Sequence, residues 1–77
     1  MILPKWCIEL TEFLLNSEIP YLYSDYTKGE EVIKFAFRDT IEQEFIDFIS
    51  EKQYDFDIIN NKRLLITEIE ITKCLKN

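Results

Sequence analysis

The sequence contains no histidine. Histidine is the side chain that most often exchanges protons near neutral pH, so its absence removes Ser-His and Cys-His nucleophiles and most zinc sites. A single glycine cannot form a phosphate-binding loop or a dinucleotide-binding fingerprint. The segment Asp55-Phe56-Asp57 lacks the glycine and the later glutamate of an EF-hand calcium loop. These absences predict a protein that is not an enzyme and that holds no cofactor and no metal ion.

Cysteines are few, and long hydrophobic runs are missing. The two cysteines, Cys7 and Cys74, do not form a CxxC pair, and a small secreted domain usually carries more of them. No apolar run has the length of a signal-peptide core or of a membrane span. The sequence therefore predicts a soluble cytoplasmic protein with reduced cysteines. A bridge between Cys7 and Cys74 is the alternative.

Basic residues are outnumbered by acidic ones. The chain has 15 acidic and 9 basic residues, a net charge of −6 and a pI near 4.5. Because neutralising phosphates requires a basic surface, this balance argues against direct binding of nucleic acid and against binding to an anionic membrane. It permits a partner protein with a basic surface. The alternative is that the charge serves solubility alone.

The sequence does contain a regular pattern of apolar residues. Hydrophobic residues make up 47% of the 77 positions, which suffices for one domain with a core. Apolar residues at helical spacing predict a helix over residues 4–16 and a second over 40–52. Thr40 with Gln43, or Asp39 with Glu42, has the spacing of a capping box. The helical faces consist of Trp6, Leu10, Phe13 and Leu14 and of Ile41, Phe45, Phe48 and Ile49.

Alternating apolar residues predict four strands in two hairpins. The first hairpin spans residues 19–38, with a turn at 27–30 where Gly29 supplies a positive φ. The second begins at Tyr54, turns at Asn60-Asn61 and continues through Ile71. One face of each strand is apolar: Ile19, Tyr21 and Tyr23; Ile33, Phe35 and Phe37; Tyr54, Phe56 and Ile58; Leu65, Thr67, Ile69 and Ile71.

The order of elements is α-β-β-α-β-β. It predicts an α+β fold with two helices packed on one face of a four-stranded, mainly antiparallel sheet, whose strand order stays open. A single domain over residues 1–77 then contains two helix-plus-hairpin units, about 4–38 and 39–72, followed by a tail at 73–77.

The second hairpin carries the candidate site. A turn at Asn60-Asn61 sets Asp57 opposite Leu64 and Asp55 opposite Ile66, on a sheet face that no helix covers. Residues i and i+2 of a strand lie roughly 6.5 Å apart, so acids at this spacing are comparable with neighbouring backbone phosphates. Any half-exposed strand also alternates acids with core residues, but three aliphatics on the same face favour an interface. The predicted partner-binding residues are Asp55, Asp57, Glu68 and Glu70, together with Ile59, Leu64 and Ile66.

The second helix carries a secondary acidic surface. It consists of Glu42, Glu44, Asp47 and Glu51, and a solvated helix face is the alternative interpretation.

These features predict a small acidic protein-binding domain. The favoured hypothesis is an inhibitor or adaptor that acts as a nucleic-acid mimic and occludes a basic, nucleic-acid-binding type of surface on another protein. In size, acidity and lack of catalytic groups it is similar in general character to the proteins with which phages and mobile elements block host nucleases and CRISPR effectors. The alternative is a homo-oligomeric structural or accessory subunit, such as a homodimer, that self-associates through the sheet face.

Overall fold

A computed structural model describes residues 2–73. It confirms the predicted α+β fold with two helices and a four-stranded antiparallel sheet. The predicted tail lies outside the described residues, apart from Lys73. The elements are α1 (Lys5–Asn16), β1 (Tyr23–Thr27), β2 (Val32–Arg38), α2 (Gln43–Glu51), β3 (Asp55–Asn61) and β4 (Ile66–Thr72).

The strands form one sheet in the order β1-β2-β4-β3, and every neighbouring pair is antiparallel. β2 and β4 therefore lie in the middle, while β1 and β3 are the edges. Both helices pack on one face of the sheet, the inner face, and the opposite face is the outer face. The helices and the inner face enclose one core cluster: Trp6, Cys7, Leu10, Leu14, Ile19, Ile33, Phe35, Phe37, Phe45, Ile49, Ile69 and Ile71.

Both helices end in the same hydrogen-bonded motif. The N–H of Ile19 donates to the carbonyl of Leu14 at 2.9 Å, and the N–H of Tyr54 makes the equivalent bond after α2 at 3.3 Å. The residue before each donor has a positive φ, 58° at Glu18 and 63° at Gln53. This is the Schellman motif, which turns the chain sharply out of the helix. It directs Ile19 and Tyr54 onto the core, where both pack.

The first strand is shorter than predicted. Ile19 is buried and Tyr21 packs against the core, but pairing with β2 begins only at Tyr23. Pro20 has no N–H to contribute to a ladder, which fits an unpaired approach to the sheet. Tyr23 lies opposite Ala36 and on the outer face, so the prediction that it shares a face with Ile19 and Tyr21 is wrong.

The second helix begins later than predicted. Asp39 has φ 70°, and its N–H donates to the carbonyl of Leu65 at 2.9 Å. This bond holds the end of β2 against the start of β4 and keeps Asp39 and Thr40 out of the helix. α2 begins at Gln43, with Glu42 as an N-cap that makes no side-chain hydrogen bond. Neither predicted capping box forms.

Both hairpins turn through four residues, 28–31 and 62–65. The left-handed residue is the last one of each turn, Glu31 with φ 53° and Leu65 with φ 56°. Gly29 does not have a positive φ, so its predicted role is wrong.

The predicted turn at Asn60-Asn61 is also wrong. Both residues belong to β3, where Asn60 pairs with Thr67 and Asn61 with Ile66. The side-chain oxygen of Asn61 accepts a hydrogen bond from the N–H of Leu64 at 3.2 Å, so it stabilises the turn from the end of the strand. Leu65, predicted to face the core, lies in the turn and is 64% exposed.

The two helix-plus-hairpin units are related by an approximate two-fold axis. In the sheet, Phe35 of β2 lies opposite Ile69 of β4, 34 positions later in the chain. In the helical layer, the ring of Phe13 stacks on that of Phe48, 35 positions later, with centroids 4.1 Å apart. Equivalent positions of the two units therefore meet in both layers of the fold.

Cys7 lies in the core and has no exposed surface. Burial, with a smaller contribution from Glu31, raises the pKa of its thiol to about 11. Because the thiolate is the form that reacts, iodoacetamide should label Cys7 only after denaturation, as read by mass spectrometry.

A reducing agent should leave the melting temperature of fresh protein unchanged. A large fall on reduction would instead reveal a bridge to Cys74, which lies outside the described residues.

Candidate protein-binding surface

The register of β3 on β4 differs from the predicted one. Asp57 lies opposite Glu70 and Asp55 opposite Thr72, six residues further along β4 than a turn at Asn60-Asn61 would give. Residues paired across antiparallel strands point to the same face, and a shift by an even number preserves the faces. The structure therefore places all four predicted acids, Asp55, Asp57, Glu68 and Glu70, on the outer face.

The predicted apolar residues do not stay together. Ile59 lies on the outer face opposite Glu68 and is 44% exposed. Ile66 is half-buried on the same face, next to Arg38 of β2. Leu64 lies in the turn after β3 and is 64% exposed. Its prediction as part of the sheet face is wrong, because a four-residue turn moves it beyond the end of the strand.

A tyrosine crosses the outer face from β1 to β4. The hydroxyl of Tyr23 donates a hydrogen bond to Oε2 of Glu68 at 2.7 Å. Tyr23, Ala36 and Glu68 lie in one row across three strands, so the tyrosine must pass over Ala36 to reach the carboxylate. Ala36 is fully buried although α1 and α2 both pack on the opposite face of the sheet. The small side chain of Ala36 leaves room for this contact.

Lys34 of β2 is the cation at the centre of the outer face. Its Nζ lies 3.9 Å from a carboxylate oxygen of Glu68 and 3.9 Å from one of Glu70. Glu68 thus has two partners, Tyr23 and Lys34, and is engaged within the sheet. The sequence indicated that Lys34 points away from the core, but its neighbours depend on the strand order, which the sequence left open.

The acids on β3 are placed differently. Asp57 faces Glu70 directly across the strand pair, and like charges in this position destabilise a sheet. Within residues 2–73, the ion pairs of the structure involve neither Asp55 nor Asp57. Together with Glu70, the two aspartates line a shallow depression of about 350 Å³ at the sheet edge. Negative charge is therefore concentrated along β3.

The secondary acidic surface lies on the other side of the molecule. Its four residues are exposed and belong to α2 or immediately precede it. Gln43 donates a hydrogen bond to Asp47 at 3.0 Å, and Phe48 contributes partly exposed ring surface beside Asp47. Because α2 packs on the inner face, one flat partner surface cannot contact both acidic regions. The secondary acidic surface consists of Glu42, Glu44, Asp47 and Glu51.

The contact between Tyr23 and Glu68 predicts a pH-dependent contribution to stability. The hydrogen bond to Glu68 raises the pKa of Tyr23 above its ordinary value of 10.0, with smaller contributions from burial and nearby carboxylates. A raised pKa means that the contact stabilises the fold while the phenol is protonated and is lost as pH rises through the folded-state pKa. Tyr23→Phe should therefore have a lower free energy of unfolding than wild type at neutral pH. The free energies of unfolding of the two proteins should become equal well above pH 10. Denaturant titrations across this range would measure the difference, and a pH-independent gap would contradict the prediction.

Comparisons with known proteins give no family and no relative. No protein-family model matches the chain, and no match was found among curated proteins or among solved structures. No helix among the described residues is long and apolar enough to cross a membrane. Over residues 2–73, no group of three or more histidine, cysteine, aspartate or glutamate side chains is arranged to hold a metal ion.

Proposed function

We propose that this chain is a non-enzymatic protein-binding domain that presents the β3 side of its outer face to a basic surface of another protein. The observation that carries the proposal is the direct opposition of Asp57 and Glu70. Lys34 reaches Glu70, but within residues 2–73 no ion pair involves Asp57. A cation supplied by a partner beside Asp57 would relieve the remaining repulsion. Asp55 lies two residues along the same strand and extends the negative surface.

The apolar part of the proposed surface is Ile59. It lies beside Asp57 and opposite Glu68, and it is 44% exposed. An apolar side chain surrounded by charged groups suits an interface in which the centre is desolvated and the rim steers association. Glu68 is engaged by both Tyr23 and Lys34, and Glu70 by Lys34 alone. We therefore assign the direct contacts to Asp55 and Asp57 first, with Glu70 beside them.

The chemistry of the partner follows from the arrangement of charge. Carboxylates repeated along a strand match a groove that otherwise holds a nucleic-acid backbone, so we infer an inhibitor or adaptor that occludes such a groove. Proteins of phages and mobile elements that block nucleases and CRISPR effectors act on surfaces of this kind, and the likeness is one of general character. The cytoplasm is the corresponding compartment.

Self-association through the outer face is disfavoured by the same charges. Among the paired residues of the four strands, the outer face carries five carboxylates and two cations: Asp25, Asp55, Asp57, Glu68 and Glu70 against Lys34 and Arg38. A two-fold dimer would press two such surfaces together and desolvate like charges.

The proposal is tested by sedimentation and by capture of partners. The wild-type chain should be a monomer. Immobilised wild type should retain a basic protein from cell extract at about 0.1 M salt and release it near 1 M, where the Debye length falls to about 3 Å. The variant Asp55→Lys/Asp57→Lys should retain none. A compact dimer, or equal capture by wild type and variant, would exclude the proposed surface.

A further inference from the structure

The two edges of the sheet are protected to different degrees. β1 has five residues and is preceded by Pro20, and short strands and prolines are common ways of blocking further pairing. β3 has seven residues with neither proline, glycine nor lysine, and β4 is its partner on one side only. The backbone of β3 therefore offers a longer free edge than that of β1.

Both faces of β3 are open at this edge. Ile58 on the inner face and Ile59 on the outer face are each 44% exposed, so the helices do not cover the strand completely. Phe56, also on the inner face, is half-buried. An incoming strand would cover apolar side chains on both faces while it pairs with the backbone.

The side chains of β3 specify the chemistry of such a strand. Paired residues point to the same face whichever direction the strand runs. Residues beside Asp55 and Asp57 on the outer face would need to be basic, and those beside Phe56 and Ile58 on the inner face would need to be apolar. β3 itself contains no basic residue, so a second copy of β3 would not supply this pattern.

We infer that the free edge of β3 binds an extended segment of the partner in which basic and apolar residues alternate. The segment adds a fifth strand to the sheet and places its cations against Asp55 and Asp57. This inference rests on the proposed function and specifies how the basic partner is held. Backbone hydrogen bonds supply affinity, and the alternating side chains supply specificity.

The test uses three synthetic peptides of the same length and composition of side chains. One alternates lysine and valine, the second groups the lysines at one end, and the third alternates but carries an N-methyl group on every amide. Calorimetry at about 0.1 M salt should show the second and third binding about tenfold or more weakly than the first, because several backbone bonds are lost. Amide hydrogen exchange should show protection of residues 55–61 by the alternating peptide and none of β1.

Matched protein variants separate the contributions. Asp55→Asn/Asp57→Asn should weaken binding of the alternating peptide by about tenfold. Glu12→Gln/Glu30→Gln removes the same charge from exposed positions on α1 and in the first turn, and should change binding by less than about twofold.

Each other outcome has a distinct meaning. If the methylated peptide binds equally well and the aspartate variant still weakens it, the edge inference fails while the acidic surface stands. If Asp55→Asn/Asp57→Asn binds the alternating peptide as tightly as wild type does, both the edge inference and the proposed acidic surface are contradicted. Absence of binding by the alternating peptide, or protection of 55–61 by formation of a dimer, would overturn the edge inference and leave the capture experiment to decide on the surface.

Discussion

Phe45→Ala is expected to lower the free energy of unfolding by about 3–5 kcal/mol, because removing a fully buried ring leaves a cavity. The Phe45 side chain has no exposed surface, and its ring lies 5.7 Å from those of Phe35 and Phe37. It also lies near Phe13 across the helical layer, at 6.2 Å. A domain of this size has a total stability of about 5–15 kcal/mol, so the variant should be largely unfolded or close to it.

Urea denaturation would measure this loss, and Phe56→Ala is the matched control. Phe56 packs against the same core but is only half-buried on the edge strand, so its truncation should cost less and leave a folded protein. A Phe45→Ala variant that melts within about two degrees of wild type would show that the aromatic centre of the core is misplaced.

Asp55→Lys/Asp57→Lys is expected to slow association with the basic partner by about tenfold or more at about 0.1 M salt, because exposed charges steer encounter. The difference should shrink near 1 M salt, where these charges are screened to within about 3 Å. The fold should survive, since both aspartates are exposed and the change replaces the repulsion between Asp57 and Glu70 with attraction. Surface plasmon resonance at several salt concentrations would measure the rates.

Two further variants act as controls for this result. Glu12→Lys/Glu30→Lys produces the same net charge at distant exposed positions and should slow association much less. Ile59→Ala should raise the dissociation rate with little dependence on salt, because an apolar contact is lost. Equal effects of the two charge reversals would mean that net charge alone governs binding. Unchanged binding by both charge-reversal variants would instead point to the secondary acidic surface of Glu42, Glu44, Asp47 and Glu51.

The sequence predicted the elements because apolar periodicity determines which side of a helix or strand is buried. Leu10, Leu14, Phe45 and Ile49 lie in the core as their spacing indicated. The turns were not predictable in the same way. An Asn-Asn pair favours a turn locally, but pairing of Asn60 with Thr67 and of Asn61 with Ile66 extends β3 through it. Long-range pairing thus outweighed local turn preference.

The sequence predicted on which face of the sheet the four acids of the candidate site lie, but not which residues lie opposite them. The register error was six residues, and an even error leaves each strand's faces unchanged. Asp55, Asp57, Glu68 and Glu70 therefore lie on the predicted face even though their predicted partners were wrong. The engagement of Glu68 by Tyr23 and Lys34 could not be predicted, because it depends on β2 lying between β1 and β4.

The approximate two-fold relation between the units has a consequence for folding. Phe35 and Ile69 pair at the middle of the sheet, and Phe13 and Phe48 stack in the helical layer, so each half of the chain supplies one side of both contacts. Neither half has a core of its own, and a fragment of about 40 residues or fewer buries too little surface to stay folded alone. A chain cut near Thr40 would therefore yield two fragments that acquire structure only by combining with each other.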